Sequence, residues 1–324
     1  NDATVVANGA TGITLLTPTQ TGFTERFVPL TVGTAPRIAA VAKWGNTYLI
    51  GGQFEYWYEG IRYTNLMRLT TDLKPDPSWQ PGITGVVTAL AIDRDGGVVV
   101  GCEHLLDAQS SLLRFTSEGR LDPLWRQPFD GPVLTVTAAD DGTVFAGGYF
   151  GAVGGIRRSS IVRFRADGSI DAGWAVDTPW QAPPAPFGGD RVTKIVDAAA
   201  GGVLVLSEDF GFSNSYNPTI NRLSRTANGA VVPLSTALES IIPSSLAQDP
   251  FTGRLFGTQL IFGTASQQSR RQLVRLLPGT LEIDPTWIAV SIDPDVAAFG
   301  KNYMYLANGR RLLRTANSVA PSPN

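Results

Sequence analysis

The sequence predicts an all-β protein, a six-bladed β-propeller of four-stranded blades. Three observations predict it. A short apolar-x-Arg strand recurs six times along the 324 residues. An Asp and a Trp follow that arginine at a nearly fixed offset. The composition, with 35 Gly and 22 Pro, suits many short strands joined by tight turns.

The recurring strand ends on Arg68, Arg114, Arg163, Arg222, Arg275 and Arg314, at intervals of 46, 49, 59, 53 and 39 residues. That is the length of a propeller blade with variable loops. The Asp and Trp are Asp76 and Trp79, Asp122 and Trp125, Asp171 and Trp174, and, shifted by one residue, Asp284 and Trp287. The fourth unit lacks both and reads AVVPLS. Before each Arg strand comes an apolar strand ending in small and aromatic residues (NTYLIGGQF, GGVVVGCEH, GTVFAGGYF, GGVLVLSEDF). Another precedes it: RIAAVA, VVTALAI, VLTVTAA or VTKIVDA. Each unit therefore reads as four strands, A to D. Asp95-Gly96 and Asp141-Gly142 supply A–B turns; Glu118-Gly119, Asp167-Gly168 and Asn228-Gly229 supply C–D turns. A C–D turn of this length sets Arg163 across from Asp171, where facing opposite charges contribute roughly 0.2–1 kcal/mol. The arginine and the Trp are accordingly read as structural, the Trp packing between blades.

Residues 24–35, TERFVPLTVGTA, read as a D strand with Phe27 in the place of the Trp. The last unit has strands DVAAFG, NYMYLANG and RRLLRT but no fourth. The expectation is that the N-terminal strand completes the last blade and closes the ring. The chain then divides into an extended segment over 1–24, the propeller over 25–314 and a linker-like tail over 315–324, which ends in NSVAPSPN. The N-terminal residues lack signal-peptide character, so a removed leader or a fragment is expected, with the parent protein continuing past Asn324.

Bulk properties narrow the function classes. A chain of this size buries roughly three quarters of its unfolded surface and needs no disulfide or metal to fold. Net charge is −2 and the 26 basic residues form no cluster, which argues against a nucleic-acid partner. No apolar run is long enough to span a bilayer, so membrane insertion is not expected. Cys102 is the single cysteine, which excludes an internal disulfide and a multi-cysteine zinc site.

The repeat resembles the delta-60 repeat family of bacterial β-propellers. The likeness rests on Gly51-Gly52-Gln53-Phe54 and Gly147-Gly148-Tyr149-Phe150, on the [LI]-x-R strand, on Asp167 to Asp171, and on the Trp that follows. It covers about residues 25–314, most clearly in the first three units. The resemblance implies a secreted or cell-surface bacterial location. It brings no catalytic motif.

The A–B and C–D turns are short, so elaboration is expected on the opposite face, in long loops over 53–64, 149–158, 176–190, 208–218 and 260–270. Confinement to one face is how scaffolds carry function. Phe54, Tyr56, Trp57, Tyr58 and Tyr63 crowd the first loop with Glu55, Glu59 and Arg62. Trp180, Phe187, Phe210, Phe212 and Tyr216 are expected on the same face. Aromatics with polar tips favour sugars, peptides or protein surfaces; the competing reading is local packing. The ligand-binding candidates are therefore Tyr56, Trp57, Tyr58, Tyr63, Trp180, Phe212 and Tyr216. His104, the only histidine, stands where other units have Phe, and its neighbours Cys102 and Glu103 admit an acid–base pair or a nucleophile. Gln53, Glu103, Tyr149 and Asp209 hold equivalent positions and are expected to ring the channel mouth, where calcium is conceivable; no other cofactor is expected. SIDAGW, from Ser169 to Trp174, approaches the Asp-box of sialidases but lacks its spacing.

The leading expectation is a non-enzymatic binding or adhesion module that contacts a glycan or extracellular protein. One alternative is a carbohydrate-active enzyme of polysaccharide lyase or lactonase type, with Glu103, His104, Asp209 and Arg62 as its first candidates. The other is a structural module that assembles with itself or with neighbouring surface modules.

Overall fold

The computed structural model describes residues 4–7, 12–18, 23–29, 37–103, 111–158, 160–174, 191–198, 202–210, 216–224, 231–232, 241–249, 254–261, 270–277, 282–287, 296–299, 303–306 and 311–313. They form a succession of antiparallel meanders. The first sheet joins β1 (Thr4–Ala7), β2 (Gly12–Pro18) and β3 (Phe23–Pro29); the second, β4 (Arg37–Trp44), β5 (Thr47–Tyr58) and β6 (Ile61–Leu69). The third joins β7 (Val87–Ile92), β8 (Val98–Cys102) and β9 (Leu112–Phe115). The fourth is β10 (Val133–Ala138), β11 (Val144–Gly148) and β14 (Ile161–Phe164), with a small hairpin, β12 (Ala152–Val153) and β13 (Ile156–Arg157), between its last two strands. The fifth has four strands, β15 (Arg191–Ala198), β16 (Gly202–Phe210), β17 (Tyr216–Ser224) and β18 (Val231–Val232). The sixth joins β19 (Ile241–Gln248), β20 (Leu255–Ile261) and β21 (Arg270–Leu276); the last, β22 (Val296–Phe299), β23 (Tyr303–Leu306) and β24 (Arg311–Leu313).

First strands are neighbours: β1 lies beside β4, β4 beside β7, β7 beside β10, β10 beside β15, β15 beside β19, β19 beside β22, and β22 beside β1. Among the described residues, then, seven sheets of three or four strands follow one another where the repeat count predicts six. The difference lies at the N-terminus. Residues 4–7 and 12–18, expected to be extended, pair as antiparallel strands, with β3 as the third. β3 pairs with β2 and not with β24, so it does not complete the last sheet. Phe27 pairs with Thr14 and is half exposed, unlike the buried tryptophans.

Most fourth strands shrink to single bridges, Leu69 to Pro75, Phe115 to Leu121, Phe164 to Ile170 and Leu276 to Ile283. The reason is local. In four units the chain turns immediately at the Asp, whose Oδ1 accepts the N–H of the residue two further on: Ser78 (2.9 Å), Leu124 (3.1 Å), Gly173 (3.2 Å) and Thr286 (2.9 Å). The Asp carbonyl then accepts the Trp N–H, and Pro77, Pro123 and Pro285 have no N–H to give a ladder. In the unit lacking the Asp and Trp, Val231–Val232 does pair as a fourth strand, β18.

The arginine completes this clasp. Arg68 Nε donates to Asp76 Oδ2 at 2.9 Å, Arg114 Nη1 to Asp122 Oδ2 at 2.8 Å and Arg275 Nε to Asp284 Oδ2 at 2.9 Å; Arg163 grips Asp171 likewise through Nε and Nη2. Each guanidinium lies over its indole, 5.6 Å from the Trp79 and Trp174 rings and 5.9 Å from those of Trp125 and Trp287. The indoles are buried, and two reach the next blade. A Cβ at Gly119 would lie 2.9 Å from Trp79, and one at Gly168 2.9 Å from Trp125. Both glycines are left-handed, with φ near 80°, so turn geometry and indole packing demand the same residue.

Paired glycines of the second strands set the contact between sheets. A Cβ on Gly51 would come within 2.5 Å of Val87 on the next sheet, and one on Gly101 within 2.9 Å of Val133. Gly147 faces Val192 in the same way. The second glycine of each pair, Gly52 or Gly148, lies against the carbonyl of Arg37 or Pro132 where the ladder is bulged. Side chains also bond across the gap: Thr88 Oγ1 to the Val133 carbonyl (2.6 Å), Thr137 Oγ1 to that of Ile195 (2.7 Å) and Lys194 Nζ to that of Leu246.

Two tests follow from this packing. Gly148→Ala drives a Cβ into a backbone carbonyl and should destabilise the protein by about 1–3 kcal/mol, read as a lower urea midpoint with an unchanged slope; an unchanged midpoint would contradict the close approach. Asp284 is held down to about 2, chiefly by the Thr286 hydroxyl and, against the opposing pull of burial, by Arg275. Asp76 and Asp171 are lowered too: burial opposes, but Ser78 and Arg68 prevail at the first and Arg163 at the second. These depressed carboxylates stabilise fully above their unfolded pKa of about 3.9 and lose that contribution as pH falls toward the folded value. The thermal midpoint should therefore drop between pH of about 4 and 2, with a shallower acid slope in Asp284→Asn; an identical slope in the variant would contradict the assignment.

Candidate functional site

The aromatic-rich stretch predicted as a loop is a projecting hairpin. The ladder between β4 and β5 ends at Arg37 and Gln53, whereas β5 and β6 continue past it through Glu55–Thr64, Tyr56–Tyr63, Trp57–Arg62 and Tyr58–Ile61. Aromatic residues favour extended pairing, and Glu59 and Gly60, with φ of 49° and 80°, make the two-residue turn that suits strand twist. At its root the register slips, so that residues 52–54 oppose Asn65 alone. Asn65 is left-handed (φ 61°); its Oδ1 accepts the Phe54 N–H at 3.0 Å and its amide reaches the Thr84 carbonyl at 3.4 Å. That amide ties the hairpin to the segment before the third sheet.

Strand alternation divides the aromatics between two faces. Tyr63 is buried, only 3% exposed, in a cluster with Phe54, Met67, Leu73 and Ile13, and Tyr56, Tyr58 and Ile61 pack against it half-buried. Three of the predicted contact residues, Tyr56, Tyr58 and Tyr63, thus serve to fasten the hairpin to its own sheet and to the N-terminal one. The opposite face carries Glu55, Trp57 and Arg62. Trp57 is 54% exposed, and its Nε1–H donates to Glu55 Oε1 at 2.9 Å while Arg62 donates to Glu55 Oε2 at 2.8 Å. Those hydrogen bonds, Arg62 first and Trp57 second, hold the Glu55 carboxyl below its ordinary range. The network fixes the edge of the indole and leaves the residue half-exposed.

Of the other expected loops, 149–158 is described throughout and 208–218 in part, while 176–190 and most of 260–270 lie outside the described residues. Residues 149–158 contain β12 and β13 around Gly154-Gly155, and β16 and β17 extend over most of 208–218. Of the four residues at equivalent strand-end positions, Gln53 and Glu103 are exposed and Tyr149 is half-buried. Asp209 pairs with Asn217, and Phe210 with Tyr216, along the β16–β17 ladder; their side chains lie outside the description. His104, Trp180, Phe187 and Phe212 lie outside the described residues. Among the described residues no three His, Cys, Asp or Glu side chains gather as metal ligands, and no helix is long and apolar enough to cross a membrane. Arg62, one of the four residues of the enzymatic alternative, is engaged by Glu55 on the hairpin. Arg158, buried after β13, was not marked by any repeat or motif.

Residues 46–78 and 139–173 match the family model described as "Domain of unknown function (DUF5122) beta-propeller". They span the second, third and fourth strand positions of the second and fourth sheets, and the all-β fold is accordingly of the β-propeller kind. No curated protein matches the chain in sequence. Among solved structures the chain is similar to streptogramin B lyase, at 11% identity over 92% of this chain and 84% of that one, with a TM-score of 0.47. It is similar to the Dos1 propeller at 10% identity, 84% and 69% coverage and a TM-score of 0.46. A protein of unknown function from Bacteroides caccae shows 12% identity, 88% and 94% coverage and a TM-score of 0.42. At such identities these neighbours speak to neither a substrate nor a site in this chain.

Cys102 closes one of the predicted chemistries. It is fully buried at the end of β8 beside Ile83 and Val87, and burial pushes its thiol up to about 12. A thiol so placed stays protonated at neutral pH and is a poor nucleophile. Iodoacetamide should leave the native protein unlabelled and modify it at one site only after unfolding; rapid native labelling would show that the strand end opens.

Proposed function

We propose that this chain is a secreted or cell-surface binding module, a propeller of the delta-60 type that holds a glycan or extracellular protein against its projecting hairpin. The reading is of a seven-bladed ring closed by packing of β1 between β4 and β22. One observation carries the functional part: Trp57 stands half-exposed on a hairpin whose other aromatics are packed, with its indole edge fixed by Glu55 and Arg62. A rigid aromatic held by its own polar neighbours loses little entropy when a ligand lands on it. A single indole framed by charged groups offers an apolar face of about one sugar ring, rimmed by hydrogen-bonding partners, and this favours a glycan over a broad protein contact. The extracellular location is supported by the delta-60 resemblance.

The test is a glycan array and an extracellular-protein pull-down with the wild-type chain and with Trp57→Ala. A binder found by either should lose about thirtyfold in affinity in the variant, the scale of an anchoring aromatic, and should change Trp fluorescence on binding. Full affinity in Trp57→Ala, or silence in both screens, would sink the proposal.

A further inference from the structure

Arg158 follows β13 and is 92% withdrawn from solvent, at 8% exposure. Its backbone N–H donates to the Gly151 carbonyl at 2.7 Å, and its Nη1 to the Arg157 carbonyl at 2.9 Å. The guanidinium plane is therefore held from within the hairpin. Nε and Nη2 are buried and have no partner among the described residues. Asp171, whose charge reaches Arg158, is already bound by Arg163 and Arg165. Burial outweighs that charge and pulls Arg158 below the ordinary guanidinium value. A buried cation with unmet donors is strongly destabilising unless something satisfies it.

The repeat shows what the position ordinarily holds. Arg158 stands three residues before Ile161, which pairs with Gly147; in the second sheet Tyr63 stands three before Leu66, which pairs with Gly51. Tyr63 fills its place with an apolar ring. The fourth sheet puts a full charge there instead, so packing alone does not explain the residue.

The open edge has a definite chemistry. Nε and Nη2 lie along one side of the guanidinium and present two parallel N–H groups, the fork that matches a planar carboxylate. This protein sets that same edge on its own carboxylates, Arg68 on Asp76, Arg163 on Asp171 and Arg275 on Asp284, with both nitrogens there meeting one oxygen. We propose that Arg158 anchors a binding site for a small carboxylate anion, held on Nε and Nη2 beneath the β12–β13 hairpin. The hairpin is tethered by Asp130, whose Oδ1 accepts the N–H groups of Gly151 and Ala152 at 2.8 and 2.9 Å. The site is separate from Trp57 and does not depend on the reading of that hairpin.

The probe is acetate, compared with chloride at equal ionic strength, on the intact chain. The wild-type thermal midpoint should rise by about 2–4 °C in saturating acetate. Arg158→Met should show no such increment and, in chloride, should be at least as stable as the wild type, because it removes an unpaired buried charge. Arg158→Lys should keep a weaker response, since an ammonium does not offer the fork. An equal acetate response in wild type and Arg158→Met would overturn the site, as would Arg158→Met being less stable in chloride. If neither variant folds, a crystal structure grown in acetate decides: a carboxylate on Nε and Nη2 supports the site, and waters alone there overturn it.

Discussion

The ion pair between the third-strand arginine and the aspartate eight or nine residues later organises each blade in which it occurs. A partly buried carboxylate and guanidinium lose hydration, and such a pair is favourable only when the remaining polar atoms are also satisfied. Asp76, Asp122, Asp171 and Asp284 meet that condition, each spending one oxygen on the arginine and the other on the backbone of the turn that delivers the Trp. Through the indole, the pair governs the next blade as well, because Gly119 and Gly168 must remain glycine to receive it. The fifth sheet is the informative exception: without the Asp and Trp, its edge is finished by a paired strand. Clasp and fourth strand are two solutions to the same exposed edge.

Among the described residues no ladder joins one sheet to the next, so cohesion there rests on close approach. Valines of one sheet nest against glycines of its neighbour, and the Thr88, Thr137 and Lys194 side chains reach carbonyls across the gap. Contacts of this kind tolerate variation at the strand ends, away from the glycines. The chain elaborates there, lengthening β5 and β6 into the hairpin that carries Trp57 and inserting β12 and β13 before Arg158. Both candidate sites are thus outgrowths on one scaffold, each secured by a local side-chain amide or carboxylate, Asn65 in one and Asp130 in the other.

Legibility differed from residue to residue. The arginine, aspartate and tryptophan sit at fixed offsets because one turn geometry serves four blades, and the β-propeller class follows from that spacing. The N-terminal sheet has Arg26 but neither the apolar-x-Arg pattern nor the Asp and Trp after it, so a repeat counted on them misses it and assigns β3 elsewhere. Crowded aromatics in 54–63 announced a special segment but not its shape. A bulge at Asn65 and a left-handed Glu59-Gly60 turn are what make it a hairpin with one packed and one open face.

By itself, the sequence determined the all-β class, the blade as the repeating unit, and the pairing of Arg with Asp, because those depend on local periodicity and turn length. Only the tertiary structure decided which of Tyr56, Trp57, Tyr58 and Tyr63 meets solvent, since that depends on Ile13 and Val28 arriving from the far N-terminus to cover one face. Arg158 is the sharper case. Nothing in a dipeptide of arginines distinguishes the exposed Arg157 from its buried neighbour; strand alternation and the fold of the hairpin around Gly151 separate them.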